Sequence, residues 1–106
     1  MITVTIHRSN DSYAGFKVVG HAGYAEEGYD IICAAVSVLI INTVNSLEAF
    51  TDDKFAARED HGIVELILEG SVSDKTTLLL DSMILGLRDI QTQYGNEFIR
   101  LKIEEV

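Results

Sequence analysis

The stretch Asp30-Ile31-Ile32-Cys33-Ala34-Ala35-Val36-Ser37-Val38-Leu39-Ile40-Ile41 decides the fold. It is apolar on nearly every side and lacks glycine and proline, which predicts a helix from Ile31 to about Phe50 buried on more than one face. Asp30 has the side chain of an N-cap, able to accept a hydrogen bond from an amide of the first turn. The most apolar run, residues 31–41, is 11 residues long and contains Ser37. That length is too short to span a bilayer and suits a helix laid on a sheet.

Upstream, Ile2, Val4 and Ile6 alternate with Thr3, Thr5 and His7, the period of a half-buried strand. Asn10-Asp11-Ser12 is turn chemistry, and residues 13–20 return as a second strand to form a hairpin. Residues 21–29 hold Gly23 and Gly28, show no period and read as a mobile loop. Downstream come a short strand over 54–59, a turn at Asp60-His61-Gly62 and an alternating strand over 63–69. Ser73 or Asp74 caps a second helix that reaches Tyr94 and is ended by Gly95. Residues 97–104 form the last strand, with Ile99, Leu101 and Ile103 facing inward.

The expected fold is therefore α+β in the order ββαββαβ, a two-layer arrangement with both helices packed on one sheet face. The chain has no proline, repeat or low-complexity tract, and 106 residues bury a single core. One domain over residues 1–106 is expected. Two very apolar helices in so short a chain leave hydrophobic surface to spare. A homodimer buries it, and a monomer with both helices packed hard on the sheet is the alternative.

Composition narrows the function. Apolar residues make up 47% and charged residues 24%, a globular balance. Seventeen acidic residues against 8 basic give a net charge of −9. That charge repels nucleic acid phosphates and anionic lipid, so neither direct nucleic acid binding nor a membrane is expected. It attracts basic partners, or serves only to keep a cytoplasmic protein soluble. The single cysteine excludes an intrachain disulfide, a CxxC redox pair and a thiolate zinc knuckle. Residues 1–6 lack the pattern of a signal peptide, and a lone thiol stays reduced in the cytoplasm.

Chemistry concentrates at the head of the first helix. With Asp30 as N-cap, Cys33 falls at the third helical position, where unpaired amides and the positive end of the helix dipole favour a thiolate. His21 closes the second strand, and the loop after it folds back toward the helix start. Its imidazole is suited to take the thiol proton and return it to a leaving amine. The amides of Ile32 and Cys33 are candidates to hold a developing oxyanion. Ser37 lies one turn beyond Cys33 on the same face, placed to hydrogen-bond the thiolate or orient His21. Asp30 caps the helix, orients His21, or does both.

Each feature also has a plain structural reading. A cysteine in an apolar helix is commonly a small buried hydrophobe, and a histidine next to a glycine at a strand end is commonly a loop residue. Ser37 bonding its own helix backbone is equally ordinary. The residues alone permit a Cys/His dyad without requiring it.

Gly20-His21-Ala22, Gly28-x-Asp30, Ile31-Ile32-Cys33-Ala34 and Val36-Ser37 together resemble the motif of the ribosomal-processing cysteine protease family, Prp. The resemblance extends through chain length, element order and the polar Asn42 and Asn45 of the first helix. It implies a homodimeric cysteine endopeptidase with Cys33 as nucleophile, His21 as general base, and Asp30 and Ser37 in support. It implies that Gly20 is the pivot of a substrate loop made of Ala22, Gly23, Tyr24, Gly28 and Tyr29. The implied substrate is the N-terminal extension of a large-subunit ribosomal protein, cut after an aromatic pair to expose a basic mature N-terminus.

Two rival classes remain: a non-catalytic ribosome-assembly or protein-binding module with Cys33 merely packed, and a thiol enzyme acting on small thioesters. Cys33, His7, His21 and His61 lack any recognised zinc spacing, so no metal or cofactor is expected.

Overall fold

The structure is a computed structural model that describes residues 1–20 and 29–106, with residues 29 and 30 described by their backbone only. The chain begins with β1 (Ile2–Ser9) and β2 (Ser12–Val19), followed by helix α1 (Tyr29–Phe50). Then come β3 (Lys54–Asp60), β4 (Ile63–Glu69), helix α2 (Asp74–Tyr94) and β5 (Ile99–Glu105). This is the expected ββαββαβ order.

Local chemistry explains the hairpins. Asn10 and Asp11 both take positive φ, at 52° and 64°, the backbone of a two-residue turn whose twist matches that of the strands it joins. His61 and Gly62, at 47° and 81°, do the same between β3 and β4. The sheet order is β3-β4-β2-β1-β5, antiparallel except where β5 runs parallel to β1. The register shifts at His7 and Arg8, where Ala14 is the extra residue of β2. Side chains alternate along a strand, so this one-residue bulge puts Tyr13 on the same face as Phe16 and Val18. Without it Tyr13 would point to the opposite face.

That inner face carries the core. Ile2, Val4 and Ile6 lie under Ile32, Val36, Ile40 and Leu47 of α1 and Leu80, Met83, Ile84 and Leu87 of α2. Both helices therefore cover one face of the sheet. They meet where Leu39 packs on Gly86, at which a Cβ would lie 3.0 Å from the leucine methyls. Ile103 pairs with Ile6 and shares its face. It nonetheless stays 51% exposed, because β5 is an edge strand whose far end the helices leave uncovered. The inward pattern expected for Ile99, Leu101 and Ile103 thus decays along the strand, from fully buried Ile99 to half-exposed Ile103.

α2 begins as its sequence signals: Ser73 accepts from the Thr76 amide as N-cap, and Gly95 ends the helix at φ 90°, its amide donating to the Gln91 carbonyl. α1 begins earlier than expected. Tyr29 is already helical, so Asp30 lies inside the helix and is not the N-cap. Apolar character also runs further along α1 than residues 31–41. By length and composition Ile31–Phe50 is long and apolar enough to cross a bilayer. Four of its side chains instead seal the sheet, the arrangement of a core helix.

Candidate active site

Cys33 is the fifth residue of α1. In helical geometry its amide bonds the carbonyl four residues back, that of Tyr29. This corrects the expectation that the Cys33 amide is available to an oxyanion. The extra residues of helix before Ile31 are the reason. The dipole argument survives, because Cys33 remains close to the positive end.

The packing of α1 sets the direction of the thiol. Ile32, Val36, Ile40 and Leu47 form the buried stripe. Cys33, Ser37 and Val44 fall on one shoulder of it and Ala35 and Leu39 on the other. Leu39 faces α2, so the Cys33 shoulder faces the β2–β4–β3 side of the sheet. Cys33 is partly buried against the core, and Ser37, one turn on, is also partly exposed. Val18, near the end of β2, lines one cavity together with Val36 and Ser37. The end of β2 and the first turns of α1 are thereby neighbours across the inner face.

Gly20 follows directly on β2. Its φ is 96°, and a Cβ built there would lie 2.3 Å from the Met1 carbonyl oxygen. Only glycine fits this turn, for backbone conformation and for space. The chain thus leaves the sheet at Gly20 in a direction that a side chain would forbid. His21, Ala22, Gly23, Tyr24 and Gly28 lie outside the described residues, as do the side chains of Tyr29 and Asp30.

Of the other histidines, His7 stands toward the far end of the sheet, opposite Gly15, whereas His61 turns out at the near end, where Ile63 pairs with Val19, and is 94% exposed. His7 Nε2 is 4.0 Å from Glu104 on the outer face, and His61 sits in the β3–β4 turn, 3.3 Å from Asp60. Among the described residues no three of His, Cys, Asp or Glu gather as a metal site would require. The sequence reading missed Val18 and Glu59, which share a cavity with Ser37. Only strand register brings them there, and no local pattern signals it.

A protein-family model described as "Cysteine protease Prp" matches residues 1–99. The chain belongs to the Prp cysteine protease family. It is 32% identical over 101 residues to the ribosomal processing cysteine protease Prp of Bacillus subtilis (strain 168), covering 89% of this chain and 90% of that protein. Its likeness to the protein of the same name from Staphylococcus aureus (strain Mu50 / ATCC 700699) is 31% over 104 residues, covering 95% and 97%. In three dimensions it matches the crystal structure of the S. aureus ribosomal processing protease Prp in complex with a substrate peptide. The TM-score is 0.90 at 29% identity, covering 98% of this chain and all of that one. The family makes this chain a cysteine protease, which removes the reading of Cys33 as part of a non-catalytic module.

Proposed function

We propose that this chain is a cysteine endopeptidase in which Cys33 is the nucleophile and His21 its general base. One observation carries the reading: a member of a cysteine protease family has a single cysteine, and that cysteine stands at the head of α1 on the shoulder facing the end of β2.

In this reading the Cys33 thiolate attacks the scissile carbonyl carbon while His21 holds the proton taken from sulfur. The carbonyl oxygen becomes an oxyanion, stabilised by unpaired amides of the first turn of α1. Collapse of the intermediate breaks the C–N bond, and His21 returns its proton to the departing amine. Water, activated by His21, then cleaves the thioester and restores the thiol. Ser37 and Asp30 support the dyad. Gly20 is the pivot of a loop in which Ala22, Gly23, Tyr24, Gly28 and Tyr29 close over the peptide.

The substrate we propose is the N-terminal extension of a basic large-subunit ribosomal protein, met in the cytoplasm before assembly. The relatives are named for ribosomal processing, and a net charge of −9 favours a cationic client over nucleic acid. Residues 1–106 act as one protease domain and pair as a homodimer. Ile31 and Val38, 65% and 66% exposed on the outer face of α1, support that pairing.

Incubation with the extended ribosomal protein, followed by mass spectrometry, tests the reading. A shortened product that disappears in Cys33→Ala is expected. Equal product from the variant, or none from the wild type, refutes it. Sedimentation of wild type and Val38→Glu tests the dimer, with the variant expected to run as a monomer.

A further inference from the structure

The end of the sheet away from Gly20 carries a concave surface between α2 and β5. Its floor is apolar: Ile84 of α2 is buried, and Ile103 is left half-exposed where no helix covers the end of the edge strand. Leu85, 64% exposed at the next position of α2, forms one wall. Tyr13, brought to the inner face by the bulge in β2, forms another. The cavity measures about 430 Å³, room for a small organic molecule.

The charges around it run against those of the chain. Arg8 lines the cavity from β1, and Arg88 lines it from α2, four residues past Ile84 and three past Leu85 on the same helical face. Arg8 is held twice: its guanidinium lies 4.6 Å from the Tyr13 ring centroid and donates to the Asp11 carbonyl at 2.9 Å. The rest of its fork keeps N–H donors for a ligand. Neither arginine forms an ion pair among the described residues. Glu105 pairs with Arg8 across the sheet but does not line the cavity. Asp81 is the one carboxylate that does, and the Tyr13 hydroxyl already donates to it. Two cations against one anion leave a positive site in a chain of net charge −9.

We infer that this cavity binds a small organic anion, its carboxylate or phosphate held between Arg8 and Arg88 and its apolar body laid on Ile84, Leu85 and Ile103. The inference stands apart from the protease reading, because Arg8 and Tyr13 flank the Asn10-Asp11 turn, at the opposite end of β2 from Gly20. Guanidinium groups match carboxylate and phosphate oxygens through paired N–H···O bonds. Arg8 is already ordered, so binding costs it little rotamer freedom. The apolar floor adds burial that a bare inorganic ion cannot use, and the positive rim rejects an amine of similar size.

Methyl NMR of the isoleucine- and leucine-labelled protein, titrated with phenylpropionate, phenyl phosphate, inorganic phosphate and phenylethylammonium, tests it. The two organic anions are expected to shift the Ile84, Leu85 and Ile103 methyls saturably, and the tighter of them identifies the head group. Inorganic phosphate is expected to bind more weakly than phenyl phosphate, and the ammonium to leave the methyls in place. Arg88 is exposed, so its loss tests the site without opening the core. Arg88→Gln is expected to weaken both organic anions about fivefold, the scale of one exposed charge pair. Asp81→Asn keeps an acceptor for Tyr13 and should tighten both.

Unchanged methyl dispersion in the unliganded variants shows that they fold. Equal shifts from the ammonium, shifts that never saturate, or affinities that neither Arg88→Gln nor Asp81→Asn alters overturn the inference. So does a cavity that answers none of the probes.

Discussion

The Cβ that Gly20 lacks would lie 2.3 Å from the carbonyl oxygen of Met1, in a backbone at φ 96° that disfavours any L side chain. Two costs coincide here: a strained conformation of about 1–3 kcal/mol and a backbone clash that only a shift of the β1 start can relieve. Gly20→Ala is expected to lower stability by about that amount in urea titrations. It also re-aims the chain entering residue 21, so kcat for the extended ribosomal protein should fall more than tenfold. Full activity in a well-folded Gly20→Ala protein removes Gly20 as the pivot.

Alkylation reports the state of Cys33 without any substrate. An ordinary thiol titrates near ~8.5, so below pH 8 it reacts slowly. With the helix dipole and His21 acting on it, Cys33 is expected to react with iodoacetamide several-fold faster than a free thiol at pH 6.5. His21→Ala should return the rate profile to that of an ordinary cysteine. Slow labelling that His21→Ala does not change speaks against the dyad.

Much of this molecule is legible in its sequence because the signals are local. Alternation at Ile2, Val4 and Ile6, the Asn10-Asp11 turn and the Ser73 cap each arise within a few residues, and each appears where expected. Long-range pairing leaves no such mark. Nothing near Ile99 announces that β5 will run parallel to β1, or that Ile103, although it faces inward as expected, will remain half-exposed. The start of α1 also differs from expectation, for a physical reason. Asp30 has the chemistry of an N-cap but is equally favourable inside the first turn, where its negative charge meets the same helix dipole. The cysteine and its motif were visible, whereas the cavity beside them exists only once Glu59 and Val18 are brought together by register.

Tyr13 illustrates a long-range pair whose consequence is measurable. Its hydroxyl donates to Asp81 Oδ1, and the Arg8 guanidinium stacks 4.6 Å from its ring centroid. Burial, then the hydrogen bond and charge of Asp81, push the phenol up to about 12. One of the chain's four tyrosines is therefore expected to ionise late in an alkaline titration followed near ~295 nm. Tyr13→Phe should delete that phase. Between pH 10 and 12 the unfolded phenol loses its proton while the folded one keeps it, so unfolding free energy declines across that window. Near neutrality Tyr13→Phe should cost about 0.5–1.5 kcal/mol, since exposed Asp81 is rehydrated when its donor is removed.

Asp53 ties the segment after α1 to the start of α2. Its Oδ2 accepts from both the amide and the hydroxyl of Ser73, each at 2.8 Å, while the Ser73 hydroxyl oxygen accepts from the Thr76 amide. Hydrogen bonds from Thr76 and Ser73 hold the Asp53 carboxyl below its ordinary 3.8. A carboxylate so held binds fewer protons folded than unfolded, so its contribution is complete above pH 3.8 and is lost as pH falls through the lower, folded value. Asp53→Asn is expected to flatten the acid limb of stability below pH 4 while leaving the basic limb unchanged. Ser73→Ala removes the cap and should cost about 1 kcal/mol at pH 7. Because Asp53 bonds Ser73, the double variant should lose less than the sum of the two single losses. Strict additivity in chemical denaturation would show that Asp53 and Ser73 act on α2 independently.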